Sequence, residues 1–343
     1  MTSIFPPDRM TPMSGSDERA PGKSPTNNEG PGDPRDDSRA KNDHIGVCIC
    51  TYKRPRMLAP LLEKLEQQKT GGVFHFSLHV VDNDPMKSAE DPVAAFAHRS
   101  KIPVTYDNET VQNIALTRNR AVRAAEGNIL AFLDDDELPV DDWLLRLYLS
   151  LRKSGAAGVL GPVRPFFPPE APVWLIKSHL CDRPSHVSGT VLNFLQTRTG
   201  NALIDRRIVE KEDAPFPPER GRTGGEDIAF FRTMMTRGHT FIWCEEAPVY
   251  EIVLPERCTR AYYIQKSLRL GGLTGAVLDE LGPGKWTILL RSVFAAAGHG
   301  FLSITGVFLG QHVFMRHYIQ TVYHVARIAG GLGFVPIRER QDF

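Results

Sequence analysis

The sequence runs to 343 residues, enough for one large α/β domain with appendages or for two modest domains. A hydrophobic content of 41% suits a globular protein and is too low for a polytopic membrane protein. With 41 basic and 40 acidic residues, no bulk charge favours nucleic acid as a partner.

Residues 1–43 are rich in Pro, Gly, Ser and charge of both signs, with Phe5 their only aromatic. Such a segment cannot bury enough apolar surface to offset its ordering entropy, so a disordered tail is expected. It lacks the basic-then-apolar pattern of a signal peptide, and the following domain is expected to stay in the cytoplasm.

The texture changes at His44. Residues 45–51 form a short apolar, β-prone run that ends at Tyr52-Lys53-Arg54-Pro55. Met57, Leu58, Leu61, Leu62 and Leu65 repeat with helical spacing, and Gly71-Gly72 close that helix. A second strand over 76–81 stops at Asp82-Asn83-Asp84-Pro85. A helix over 88–98 and a strand over 102–106 follow. Then comes a helix over 112–125, which Gly127 ends. A fourth strand, 128–133, runs straight into Asp134-Asp135-Asp136-Glu137.

A helix over 141–153 and a strand over 157–163 come next, then a Pro- and aromatic-rich loop over 164–193. Residues 199–204 read as a strand. Gly224-Gly225-Glu226-Asp227 open a helix to about 237, and 241–244 and 249–253 are short strands before a helix over 259–270. The five cysteines lack metal-ligand spacing and read as free thiols, with Cys48 and Cys50 on one strand face.

Strands alternating with helices predict a doubly wound, mostly parallel sheet of the Rossmann-like kind. Ligands bind at the carboxyl ends of such strands, near the point where strand order reverses. The polar clusters at 51–55, 82–84 and 134–137 all fall on those ends.

The adjacent carboxylates Asp134 to Glu137 repel one another and invite a hard divalent cation, Mg²⁺ or Mn²⁺, held against a diphosphate. They read equally as an acidic turn capping the next helix. Glu226 and Asp227 lie at the positive end of a helix dipole, which stabilises an ionised base. A plain acidic helix cap is the competing reading. What favours chemistry is the pairing of the two clusters, one for a metal and a separate one for a base.

The pieces ICTYKRP at 49–55, VVDNDP at 80–85, LTRNRA at 116–121, FLDDDELP at 132–139 and GGEDIAFF at 224–231 carry a resemblance. In this order, over residues 45–255, the chain resembles a family 2 glycosyltransferase of the GT-A fold. Within that family it looks most like bacterial enzymes that build exopolysaccharide repeat units on a lipid carrier.

The resemblance implies an inverting, metal-dependent transfer from a nucleotide-diphosphate sugar, most simply a UDP-sugar, to a saccharide acceptor. It implies that Thr51, Tyr52 and Arg54 line the nucleotide pocket, that Asp82 contacts the base or ribose, and that Arg118 stands near the acidic cluster. Asp136 and Asp134 would hold the metal, with Asp135 at the ribose or a bound water. Asp227 would be the catalytic base and Glu226 its neighbour and understudy.

Two departures matter. Asp82-Asn83-Asp84-Pro85 replaces the family's usual acid-acid-Gly-Ser, and residues 263–270 lack the Gln-x-x-Arg-Trp signature of processive synthases, so a single transfer per encounter is expected.

On the acceptor side the family places Gly200 and Asn201, where a glycine could admit a sugar and an amide could bind it; a β-bulge glycine fits as well. Trp174 could stack on the acceptor or simply pack. Arg257 and Arg260 could reach the diphosphate or stand solvated.

A nucleotidyltransferase would open with a glycine-rich phosphate loop where this chain has Thr51-Tyr52-Lys53-Arg54-Pro55. An inactive membrane scaffold would be expected to lose one of the two acidic clusters.

Between Glu280 and Glu339 the sequence has no acidic residue, and the 24 residues from Ser292 to Met315 carry no Lys or Arg. The glycines and histidines at 298–300 and 310–312 break up this apolar run. Residues 273–343 are therefore expected to lie in or dip into a cytoplasmic leaflet, with a true span or a packed helical pair as the alternatives.

Overall fold

The computed structural model describes residues 43–276, 278 and 284–335. The expected tail lies outside them except for Asp43, which belongs to the fold. Asp43 is buried, and its carboxylate accepts from Asn128 Nδ2 at 2.7 Å, Tyr148 OH at 2.7 Å and the Arg152 guanidinium.

Strand β1 (His44–Thr51) is buried on both faces, as a central parallel strand must be. Helix α1 (Pro55–Glu66) starts on a proline, whose missing N–H costs nothing there, and buries Leu58, Leu61, Leu62 and Leu65 along one stripe. The chain then builds β2 (His75–Asp82), α2 (Glu90–Arg99), β3 (Val104–Asn108), α3 (Ile114–Ala124) and β4 (Ile129–Asp134). Asn113 caps α3 by accepting from the backbone of Ala115 and Leu116 at 3.0 and 3.2 Å.

Next come β5 (Glu137–Pro139), α4 (Trp143–Ser154), β6 (Gly158–Leu160), β7 (Val163–Phe166), α5 (Val173–Ser178) and β8 (Ala202–Asp205). Helix α6 (Glu226–Thr236), β9 (Phe241–Trp243) and β10 (Val249–Ile252) complete the sheets. The main sheet has the order β3-β2-β1-β4-β8-β6-β9, and a second sheet has the order β5-β10-β7. Strands β1 to β4 pair in parallel, while β8 runs antiparallel between β4 and β6.

This is the expected α/β architecture with a mostly parallel centre. The chain leaves β1 toward β2 and β3, then returns to the other side of β1 for β4, so order reverses between β1 and β4. Thr51 and Asp134 end those two strands.

One expected strand, 157–163, divides between the two sheets. Pro162 lacks the N–H that a continued ladder needs, and the chain passes there from β6 in the main sheet to β7 in the second. The small sheet joins residues far apart in sequence, with Glu251 of β10 opposite Glu137 of β5. It brings both carboxylates beside the end of β4.

Three helices follow: α7 (Arg260–Ala276), α8 (Gly284–Leu309) and α9 (Gln311–Gly331). Helix α7 continues past the expected end at 270 because its glycines let α9 press against its backbone. A methyl group on Gly275 would stand 2.2 Å from the Arg327 carbonyl oxygen. Met315 and Ile319 of α9 pack with Trp174 and Leu175 of α5 and Tyr263 of α7, joining the helices to the sheet domain. Helix α8 is long and apolar enough to cross a bilayer, and it is covered on few sides. Phe294 is 69% exposed and Phe308 89%.

Candidate functional site

At the carboxyl ends of β1 and β4 lies a cleft of about 730 Å³. Its wall includes Thr51, Tyr52 and Arg54 after β1, Arg118 from α3, and Asp134, Asp135 and Asp136 after β4. Seven residues expected at the donor and metal sites thus meet in one place. Cys50, Asn83, Arg183, Glu251 and Arg257 also line it. Burial pushes the Cys50 thiol up to about 12, so it stays protonated at neutral pH and offers no thiolate.

The acidic turn is clamped from both sides. Thr51 Oγ1 donates to Asp135 Oδ2 at 2.7 Å, and Arg54 reaches Asp135 Oδ1 at 3.2 Å and Asp136 Oδ2 at 3.3 Å. Arg257 lies 3.5 Å from Asp136 Oδ2 and 3.5 Å from Glu251 Oε1. Despite these partners, burial and the neighbouring Asp135, Asp134 and Glu251 push the Asp136 carboxyl up to about 7. Asp135 is also raised by burial, against Arg54 and Thr51. Crowded, desolvated carboxylates that resist ionisation gain most from a cation.

Asp134 and Asp136 offer the hard oxygens that Mg²⁺ or Mn²⁺ prefers. Among the described residues, no three His, Cys, Asp or Glu side chains converge to cage an ion unaided. The donor set therefore fits a cation whose coordination shell is completed by waters and substrate phosphates.

Helix α6 stands on the far side of Arg118. One guanidinium nitrogen of Arg118 binds Glu226 Oε1, and another lies 3.3 Å from Asp134 Oδ1. A single buried cation, Arg118, thus ties the acidic turn to the start of α6. Gly225 precedes that helix at φ 90°, a left-handed conformation that glycine adopts without strain. The turn leaves Asp227 half-buried, its Oδ1 accepting from the Ile228 N–H at 2.7 Å. Glu226 is buried, and burial raises its carboxyl against the pull of Arg118.

The family description Glycosyl transferase family 2 matches residues 46–213. The succinoglycan biosynthesis protein ExoM of Rhizobium meliloti (strain 1021) is 33% identical over 304 residues, covering 86% of this chain and 95% of that protein. The chain belongs to the family 2 glycosyltransferases. The chondroitin synthase of Escherichia coli is 28% identical over 120 residues, 35% of this chain and 17% of its own length. The mannosyltransferase PcManGT of Pyrobaculum calidifontis, solved with GDP-Man and Mn²⁺, is 18% identical with a TM-score of 0.57. The alignment covers 85% of this chain and 87% of that one, and it supports the GT-A fold.

Several residues expected in the transferase's site serve other ends. Asp82 is fully buried and absent from the cleft wall. Its Oδ1 accepts from the Asp84 N–H at 2.9 Å, and its Oδ2 from the Ala89 N–H at 2.8 Å and Tyr106 OH at 3.2 Å. It orders the turn, and the next residue, Asn83, faces the cleft.

Asn201 departs further from the expected acceptor role. It is fully buried; its Oδ1 accepts from Trp143 Nε1 at 2.7 Å, and its amide donates to the carbonyls of Pro162 at 2.9 Å and Ala247 at 2.8 Å. Both amide hydrogens are taken by these carbonyls, and the fully buried side chain is out of a sugar's reach. Asn201→Ala should destabilise the fold by about 2–4 kcal/mol, since it orphans a buried indole N–H and two carbonyls. A urea titration checks this, and an unchanged midpoint would contradict the bridging role.

Gly200 lines a neighbouring hollow of about 450 Å³, yet a methyl group there would meet Glu137 Oε1 at 2.5 Å. The buried Glu137 carboxylate, whose Oε2 accepts from the Asp134 N–H at 3.1 Å, is what requires glycine. Trp174 packs edge-on against Tyr263 with ring centroids 6.2 Å apart, and so it is core rather than a sugar platform. Arg260 lies over the Trp174 ring and bonds Gln311, away from the cleft.

Arg183 and Glu251, paired with each other, went unread in the sequence. A charged residue in the otherwise apolar run of β10 was the available signal for Glu251. Arg183 sits in an irregular loop with no periodicity to mark it.

Proposed function

We propose that this transferase is inverting, metal-dependent and non-processive, and moves a sugar from a nucleotide-diphosphate donor, most simply a UDP-sugar, to a lipid-linked saccharide. The observation that carries this reading is the division of carboxylates. Asp134 and Asp136 face the 730 Å³ cleft, while Asp227 stands at the start of α6 beyond the Arg118 bridge. A divalent cation at Asp136 and Asp134 would supply charge neutralisation to the leaving diphosphate.

The chain's own residues do the rest. Thr51 and Arg54 hold the acidic turn in position, Tyr52 and Asn83 shape the nucleotide wall, and Asp227 takes the proton from the acceptor hydroxyl as it attacks. Direct displacement with one base inverts the anomeric centre.

The biosynthetic setting is exopolysaccharide assembly, on the strength of the succinoglycan protein's name and its coverage of nearly this whole chain. In this reading residues 44–272 carry the chemistry and 273–343 dock on the cytoplasmic face of the inner membrane, with 1–43 as a tail. No nucleic-acid partner is expected.

Release of nucleoside diphosphate from a panel of nucleotide sugars, with Mn²⁺ or Mg²⁺ and a lipid-linked oligosaccharide extract, tests the chemistry. Release should stop with EDTA and fall at least about a hundredfold in Asp136→Ala. Metal-independent turnover would overturn the cofactor assignment.

Membrane docking is tested by flotation with vesicles containing phosphatidylglycerol. The full chain should float, and a Phe301→Glu, Phe308→Glu variant should lose about a hundredfold in partitioning, from two aromatic side chains each worth ~1.5–3 kcal/mol on burial. A full chain that stays at the bottom removes the membrane from the proposal.

A further inference from the structure

A second hollow, about 750 Å³, adjoins the donor cleft and shares Arg183, Glu251 and Arg257 with it. Arg198 and Lys266 complete a set of four cationic side chains, against the carboxylates of Glu251 and Asp182. Both carboxylates are engaged. Glu251 is divided between Arg183 and Arg257, and Asp182 accepts from or pairs with His179 Nδ1 at 2.6 Å.

Among the described residues, Arg198 and Lys266 make no ion pair. Lys266 Nζ lies 5.8 Å from the centre of the Tyr262 ring. Both side chains are exposed, and both line the wall of the hollow. Burial lowers both groups; Arg183 adds to this at Arg198, and Arg183 and Arg257 do so at Lys266, where Glu251 opposes them. Four cations set against two already engaged carboxylates leave an excess of positive charge that suits an anion.

We infer that this hollow is a second anion subsite, which takes the phosphate or diphosphate carried by the acceptor. Two placements favour the acceptor over the donor. Arg198 is within electrostatic reach of Asp227, the group assigned to deprotonate the acceptor. Tyr262, Tyr263, Leu180 and Cys181 form the other wall, and these belong to the core on which α9 packs. A phosphate seated there lies between the base and the helical region that carries the exposed apolar face of α8. Calling the anion the acceptor's rests on the transferase reading; the existence of the subsite does not.

The test uses the full chain and inorganic pyrophosphate, titrated calorimetrically in EDTA, which leaves the acidic turn without a cation that could draw pyrophosphate to it. The wild type should bind, and Arg198→Gln with Lys266→Gln should weaken binding at least about tenfold while the melting temperature holds. Saturating UDP should leave pyrophosphate affinity within about twofold, since Arg198 and Lys266 line the second hollow and not the donor cleft. No binding, equal binding by wild type and variant, or displacement by UDP would each overturn the subsite.

In turnover, the variant should raise KM for a lipid-diphosphate-linked acceptor about tenfold, with donor KM and kcat little changed. An unaltered acceptor KM alongside weakened pyrophosphate binding would refute the acceptor assignment. A protein that turns over no donor yet binds pyrophosphate as described would refute the transferase mechanism instead.

Discussion

Asp227→Asn should lower kcat by about 10²–10⁴-fold while donor affinity stays within about twofold of wild type. The substitution keeps size and shape, and the amide oxygen still accepts from the Ile228 N–H, so the first turn of α6 keeps its geometry. What disappears is the ability to take a proton. The loss should therefore be in turnover, and the acidic limb of the pH–rate profile should vanish with it.

Glu226→Gln gives a different signature, because Glu226 faces Arg118 rather than open space. It should alter stability and the placement of Asp134 together, leaving the acidic limb in place. Single-turnover kinetics with saturating donor separate the two. A Glu226→Gln variant that alone removed the acidic limb would exchange the roles of the two carboxylates.

Arg118→Met should destabilise the protein by about 3–5 kcal/mol, the second large effect. The guanidinium is buried between Glu226 and Asp134, and burial works against its charge while Glu226 and Asp134 hold it in place, above the ordinary arginine value. Removal leaves the Glu226 carboxylate desolvated with no cation beside it. One of its oxygens, Oε2, already lacks a hydrogen-bond partner among the described residues.

The sign of the pH response follows. In the variant Glu226 has a folded pKa above its unfolded value, so the native state binds the extra proton and the defect shrinks as pH falls through that folded value. Urea midpoints at pH 7.5 and pH 5.5 should converge toward wild type at the lower pH. A second change, Glu226→Gln, should recover part of the loss, with a coupling energy that a double-mutant cycle measures. Additive losses would mean the two side chains stabilise the fold independently.

The order of strands and helices from His44 to Asp134 was legible because each element buries a continuous apolar run or stripe, and those runs end in polar clusters. Where strand order reverses was not legible; the pairing of β1 with β4 in the structure is what brings Thr51 and Asp134 together. Asn201 shows why the rest was hidden. Its identity suits a sugar as well as a buried bridge, and the deciding partner, Trp143, lies 58 residues away on another element. Glu137 and Glu251 likewise meet only through a small sheet assembled from distant segments. Arg183 comes from a loop with no repeating pattern. Local chemistry marks where a strand ends; the company a side chain keeps depends on long-range pairing.

The antiparallel strand β8 between β4 and β6 has a consequence for how the chain reaches its native state. Strands β1 to β4 follow one another closely and can pair as soon as residue 134 is available, but the free edge of β4 gains its neighbour only when residues 202–205 arrive. Until then the sheet presents an unpaired backbone row flanked by Ala131, Phe132 and Leu133, a template for adding a strand from another molecule. Closing that edge over a long intervening segment is also the kind of contact that slows folding. Nascent chains ending before residue 202 should accordingly be the most chaperone-dependent and the quickest to aggregate, and those extended past 205 should be released from that hazard.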